Sequence, residues 1–234
     1  MIYFFQVPDL AYFGRILGSV LSSVKKKGNE MKLILASSSP HKIKLLDDCG
    51  LRFTVKKPKT REARFENESP MDMSIRLGTE KAQSVAKTLG ERSQWLVLGS
   101  DQIAHKNNSI YHKPGDKFSA AKQLSELSGG SLQFTTSLVI VDKSEVLFCG
   151  ADTFTITFNT LHLDLINEYL DLEKPFDCAG SIKVEKAGKL LLSGTEGRDI
   201  STAIGFPVML LRDALSQLGF SIFNFIIYPQ DAVI

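Results

Sequence analysis

The feature that most constrains this chain is a repeated punctuation, a short apolar run cut off by small polar residues. Lys32–Ala36 (KLILA) ends on Ser37-Ser38-Ser39-Pro40, and Trp95–Gly99 (WLVLG) ends on Ser100-Asp101-Gln102. Runs this short, bounded by turn residues, are buried strands, and Pro40 suits the first position of a following helix. That helix is expected from about His41 to Asp48, stopped by Gly50. A strand over Arg52–Lys57 and a polar loop over Lys56–Glu68 come next. Ser69-Pro70-Met71-Asp72 opens a helix to about Leu89, because Ser69 can cap and Asp72 lies three residues on.

Beyond these, helices are expected over Phe118–Leu127, Leu163–Leu172 and Pro207–Leu218. Leu132–Asp142 and Val146–Phe158 are two long strands; in the second, Thr153, Thr155 and Thr157 alternate with apolar residues. Ser181–Glu185 and Lys189–Leu192 are expected as short strands. Alternating helices and strands define an α/β class with a mixed sheet.

Size fits one domain, or two closely packed lobes, over 234 residues. The 28 basic and 26 acidic residues leave a net charge of +2. That balance disfavours a nucleic-acid partner held by a bulk basic field, so an anionic ligand must meet local cations. Cys49, Cys149 and Cys178 are widely spaced, and no CxxC or His-rich cluster occurs, so neither a disulfide framework nor a zinc site is indicated. A reducing cytoplasm is the expected compartment.

Residues 1–30 differ from the rest. Phe13, Ile16, Leu17, Val20, Leu21 and Val24 fall at helical spacing ahead of Lys25-Lys26-Lys27. The order is the reverse of a secretory signal, and Asp9 and Arg15 interrupt it. It is expected as a poorly ordered leader or an amphipathic helix, without stable membrane association. Met31 stands where a compact domain would begin; the expected division is 1–30, 31–223 and a tail over 224–234.

Five groups of residues could carry chemistry. A helix N-terminus offers unpaired N–H groups and partial positive charge, so Ser37 and Ser39, with Lys42 and Lys44 in the first turn, make a plausible phosphate cradle, set against an ordinary serine cap with solvated lysines. Asp101 stands at the carboxyl end of a buried strand, where α/β sheets place ligands; the alternative is an acid that caps the next turn. Lys81 and Lys113 are candidate point charges for phosphates. Glu62, in the polar loop, could join Asp101 as an oxygen ligand for magnesium. Glu185 follows the turn Cys178-Ala179-Gly180-Ser181 and precedes Glu196-Gly197-Arg198-Asp199; Cys178 reads as a small apolar residue.

In order, LASSSPHKIKLLDDCG (Leu35–Gly50), RLGTEKAQ (Arg76–Gln83), LGSDQI (Leu98–Ile103), HKPGD (His112–Asp116), LSGG (Leu127–Gly130) and GFPVMLL (Gly205–Leu211) resemble the motifs of Maf proteins, which are nucleoside-triphosphate pyrophosphatases. The resemblance spans about Met31 to Phe223. It implies an α/β, inosine-triphosphatase-like fold, with a mixed twisted sheet, flanking helices and two lobes around a central cleft. It implies a divalent cation (magnesium or manganese), a nucleoside triphosphate substrate cut between its α and β phosphates, and often a homodimer. Asp101 matches the family's proton acceptor; Ser37, Ser39, Lys81 and Lys113 match positions along the triphosphate; Glu62 matches a metal position.

Branch follows from substitutions. Gln102, the CAGS turn, Glu185 and the EGRD run resemble the branch acting on 7-methyl-GTP, whereas the branch acting on thymidine and uridine triphosphates carries Thr, Lys and Gln where Gln102, Cys178 and Glu185 stand. A guanine methylated at N7 bears positive charge, and a carboxylate such as Glu185 can pair with it. His41 stands where an Arg or an aromatic is usual, Lys42 replaces an Arg, His112 replaces a Gly, and Arg61 stands beside Glu62 where an acid is usual. His41, Gln102 and Glu185 are thus the expected specificity residues. The rival readings are the same hydrolysis of dTTP, UTP or another non-standard nucleotide, and a non-catalytic nucleotide-binding regulator of cell division.

Overall fold

The computed structural model describes residues 31–90, 94–143 and 145–227. The expected leader over 1–30 and most of the expected tail lie outside the described residues. In chain order the elements are β1 (Lys32–Ala36), α1 (Pro40–Asp48), β2 (Phe53–Lys56), α2 (Pro70–Ala86), β3 (Trp95–Gly99), β4 (Gln102–Lys106), β5 (Ser109–Ile110), α3 (Lys117–Leu127), β6 (Ser131–Asp142), β7 (Glu145–Phe158), α4 (Leu163–Glu173), β8 (Leu192–Glu196), α5 (Ser201–Ile204) and α6 (Val208–Gln217), with 3-10 turns at Ala179–Ser181, Ala187–Leu191 and Ile222–Phe225.

The sheet is mixed. β1 pairs in parallel with β2 and β3, while β3, β4 and β7 all run antiparallel to β6. β6 is long enough to hold β3 and β4 end to end along one edge. Gly99 faces Val139 and Gln102 faces Thr136, so the register carries straight through Ser100 and Asp101. This interruption is the midline of the molecule. On one side, Leu33, Leu96, Leu98 and Ile140 pack with Phe206, Leu211 and Leu215; on the other, Ala104, Phe134 and Ile156 pack with Leu124, Ile166 and Leu170. These two cores are the two lobes. α2 crosses the opposite sheet face, burying Ala82 and Val85 against Ile34, Val97 and Val139.

Three expectations need correction. Ser181–Glu185 and Lys189–Leu192 are not strands: Gly180 takes a left-handed backbone (φ +72°), and 3-10 turns flank a tight turn there. The strand of this region is β8, which starts at Leu192 and pairs with β7. The boundary after Phe223 falls inside packed chain, because Phe225 is buried and Leu51 bridges Ile226.

Candidate active site

Asp101 owes its place to one alternation and one close helix contact. Side chains in an extended segment alternate faces. Val97, Gly99, Asp101 and Ile103 therefore turn toward α2, while Leu98, Ser100 and Gln102 turn toward α1 and α5. Gly99 lets α2 come close: a Cβ there would lie 2.1 Å from the Gly78 carbonyl oxygen and 2.7 Å from the Ala82 Cβ. Gly78 in turn lies against Ser137, whose Oγ would sit 2.5 Å from an added Cβ. This small-residue contact brings Lys81, on the same helix, onto Asp101.

The Asp101 backbone is pinned by two fully buried hydroxyls. Ser74 Oγ donates to the Asp101 carbonyl (2.7 Å) and accepts from Ser137 N (2.9 Å); Ser137 Oγ donates to the Ser74 carbonyl (2.7 Å) and accepts from Asp101 N (3.1 Å). Neither serine stood out in the sequence. Their only signal is polarity at positions where helix and strand periods demand burial.

Lys81 Nζ contacts Asp101 Oδ1 and Glu62 Oε1 at 2.5 Å each. Burial pulls the Lys81 ammonium down, but the two carboxylates outweigh it and hold it above its ordinary value. Reciprocally, the hydrogen bond from Lys81 holds the Glu62 carboxyl below its usual range. Lys42 is different. It is buried, donates to the Ser100 carbonyl (2.9 Å) and to Ser100 Oγ (3.1 Å), and burial lowers it to about 7 despite the nearby Asp101 and Glu62.

α1 presents its N-terminus to the same space. Ser39 caps without a side-chain bond to the helix, its N–H donates to Ser37 Oγ (3.1 Å), and its own hydroxyl has no partner among the described residues. Gln102 donates its side-chain amide to the carbonyls of Thr202 (2.8 Å) and Ala203 (2.9 Å). Both donors of that NH2 group are thereby used, and Oε1 is left as an acceptor. His41 Nε2 meets Asp177 Oδ2 at 3.0 Å. Glu185 is exposed on its turn, not on a strand, and Lys113 is exposed on the loop before α3.

One cleft of about 520 Å³ is lined by Ser37, Ser39, His41, Lys42, Glu62, Lys81, Asp101, Gln102, Lys113 and Glu185 together. All ten residues singled out in the sequence thus border a single space, between residues that are 148 positions apart at the extremes of the chain order, Ser37 and Glu185. Asp177, Cys178 and Tyr111 also line it. The wall is chemically divided: lysines, hydroxyls and the α1 N-terminus near Asp101, then imidazole, amide oxygen and Glu185 toward the second lobe. Such an arrangement can hold a polyanion at one end and a donor-bearing, positively charged ring at the other.

The family model described as "Maf-like protein" matches residues 32–218. This chain belongs to the Maf family. Relatives of this Maf protein include one from Pseudoalteromonas atlantica, named 7-methyl-GTP pyrophosphatase, which is 39% identical over 195 residues, covering 83% of this chain and 98% of the relative. A second protein of that name, from Alcanivorax borkumensis, is 39% identical over 80% of this chain and 94% of its own length. Among solved structures, a HAM1 protein from Coxiella burnetii aligns with a TM-score of 0.39 at 10% identity, over 55% of this chain and 73% of that one.

Proposed function

We propose that this Maf protein hydrolyses 7-methyl-GTP to 7-methyl-GMP and diphosphate, removing a modified nucleotide from the pool. One observation carries the reading: the cleft joins a polyanion-binding end, centred on Asp101 and three lysines, to an end whose polar groups are acceptors for a cationic base. The names of the relatives from Pseudoalteromonas and Alcanivorax support the same substrate.

At the phosphate end, the α1 N-terminus with Ser37 and Ser39 receives phosphate oxygens, and Lys42, Lys81 and Lys113 balance their charge. Asp101 accepts a proton from water as that water attacks the α phosphorus; the bond to the bridging oxygen breaks and diphosphate leaves with its charge offset by lysine. In the free enzyme Lys81 holds Asp101 and Glu62 together. An incoming triphosphate competes for that ammonium and releases the carboxylates.

Two carboxylates gathered on one lysine ammonium form a hard oxygen donor set, and their chemistry fits a magnesium or manganese ion that would complete its shell with phosphate oxygens. Asp101 and Glu62 would hold such an ion, which supplies charge neutralisation at the scissile phosphates.

At the base end, Gln102 Oε1 and the Glu185 carboxylate accept from the N–H groups of guanine, and Glu185 also meets the positive charge conferred by N7 methylation. His41 stacks on or bonds to the ring. Thymine offers one N–H between two carbonyls, so it leaves one of the two acceptors unpaired, a costly mismatch in a closed site.

Initial rates of diphosphate release over a panel of 7-methyl-GTP, GTP, dTTP and UTP, with magnesium present or chelated, test the reading. The expected order puts 7-methyl-GTP first by kcat/KM, with loss of turnover on chelation. A preference for dTTP or UTP overturns the substrate assignment, and no turnover of any triphosphate overturns the reaction.

A further inference from the structure

At the base end of the cleft His41, the proposed partner of the base, stands beside two side chains to which the proposed hydrolysis assigns no role. His41, from the first turn of α1, stands with Asp177 and Cys178, from the turn before the Ala179–Ser181 3-10 segment. Their ligand atoms all lie within 4.8 Å of one another. His41 Nε2 is 3.0 Å from Asp177 Oδ2 and 3.8 Å from Cys178 Sγ, and Cys178 Sγ is 3.5 Å from Asp177 Oδ1.

We propose that His41, Asp177 and Cys178 form a three-ligand site for a zinc-class divalent ion, separate from the Asp101–Glu62 pair. Bond lengths of about 2.0 to 2.3 Å around a tetrahedral zinc place its ligand atoms roughly 3.3 to 3.7 Å apart. His41 Nε2 stands near that spacing from Cys178 Sγ (3.8 Å) and a few tenths of an ångström inside it from Asp177 Oδ2 (3.0 Å), while Cys178 Sγ meets the other carboxylate oxygen, Oδ1, at 3.5 Å; one oxygen of that carboxylate lies within 4.8 Å of both other ligand atoms. The donor set also discriminates. Imidazole and thiolate suit zinc, cobalt or cadmium, whereas the two carboxylates at Asp101 suit magnesium or manganese.

The supporting turn is rigid. Cys178 N donates to the Pro175 carbonyl (3.2 Å) and Ser181 N to the Cys178 carbonyl (3.1 Å). Gly180 takes a left-handed backbone (φ +72°) that favours glycine, and an added Cβ would also sit 2.4 Å from the buried Leu132 Cδ2. The site is reachable from solvent, because the Asp177 side chain keeps 58% of its exposure and His41 28%. Binding exchanges the Cys178 thiol proton for the metal and releases it to solvent. A fourth position would face the cleft. Resting on the proposed function, an ion here withdraws His41 from the base and makes zinc a competitive inhibitor of the triphosphate.

Cobalt(II) titrated into the metal-stripped full chain tests the site without reference to turnover. The expected result is a thiolate-to-cobalt charge-transfer band that saturates at one equivalent, is displaced by zinc, disappears in Cys178→Ser and His41→Ala, and persists in Cys49→Ser. Absence of the band, or its survival in Cys178→Ser, overturns the proposal. In turnover with saturating magnesium, zinc should raise the apparent KM for 7-methyl-GTP at least tenfold in the parent and leave that of Cys178→Ser unmoved; equal inhibition of both overturns the competitive role. A chain that shows the cobalt band yet cleaves no triphosphate supports the site while removing the hydrolytic reading.

Discussion

Lys42 is the cation whose state depends most on pH. Its ordinary value is 10.5, and burial brings it to about 7 in the free enzyme. Below pH 7 it is an ammonium already; above, the free enzyme holds an amine, and a polyanion must bring a proton with it. KM for the triphosphate is therefore expected to rise with pH between about 7 and 10, by up to about tenfold per unit, and Lys42→Arg should flatten that limb in a pH–KM profile. The same shift acts on folding. The unfolded chain binds a proton that the folded chain lacks between 7 and 10.5, so the burial penalty is fully present below 7 and is relieved as pH rises through that window. At the opposite end of the cleft, Glu185→Gln keeps the acceptor oxygen and removes the charge. The ratio of kcat/KM for 7-methyl-GTP over GTP should fall by about tenfold, the size of one weakly screened charge contact; an unchanged ratio removes Glu185 from base recognition.

At the scale of elements, the working contact is α2 on the β3–β4 edge. Gly99→Ala puts a methyl group into the Gly78 carbonyl, which is backbone and cannot swing aside. It should cost about 1 to 3 kcal/mol or more as overpacking, visible as a lowered melting temperature, and should reduce kcat by displacing Lys81 from Asp101. Ser137→Ala strips the Asp101 N–H and the Ser74 carbonyl of a buried partner. It should cost about 1 to 3 kcal/mol and lower kcat with little effect on KM, since it disturbs the position of the base and leaves the lysines in place. The elements were legible where composition punctuates them: KLILA before SSSP, WLVLG before SDQ, and the Ser69-Pro70-Asp72 start, whose cap bond from Asp72 N to Ser69 Oγ is present at 3.1 Å. β4 was not legible. Gln102, His105 and Lys106 mask it, and it is a strand because β6 extends past Gly99 and offers an edge. The Ser181–Glu185 segment carries strand-like residues, yet Gly180 at φ +72° and the turn hydrogen bond from Lys186 N to Lys183 O give it a different path.

For the molecule as a whole, the sequence named the wall of the cleft better than it named its supports. Charged and amide side chains that line a cleft stand out against their neighbours in sequence, and Asp101, Lys81, Glu62 and Glu185 did so. Ser74, Ser137 and Ser100 look ordinary in one dimension; their role comes from burial, which only the packed lobes create. Asp177 was likewise silent, because its partner His41 lies 136 residues away. The two lobes meet along the uninterrupted register of β3 and β4 on β6, and that continuity sets Asp101 at the seam between the two cores.

Turnover of 7-methyl-GTP in water enriched in heavy oxygen, run on the parent and on Asp101→Asn, decides whether Asp101 drives attack at the α phosphorus. The label should enter 7-methyl-GMP, and Asp101→Asn should retain nucleotide binding while its rate drops by about 10²- to 10⁴-fold. Label in the diphosphate, or an Asp101→Asn variant that turns over at the parental rate, would contradict that role.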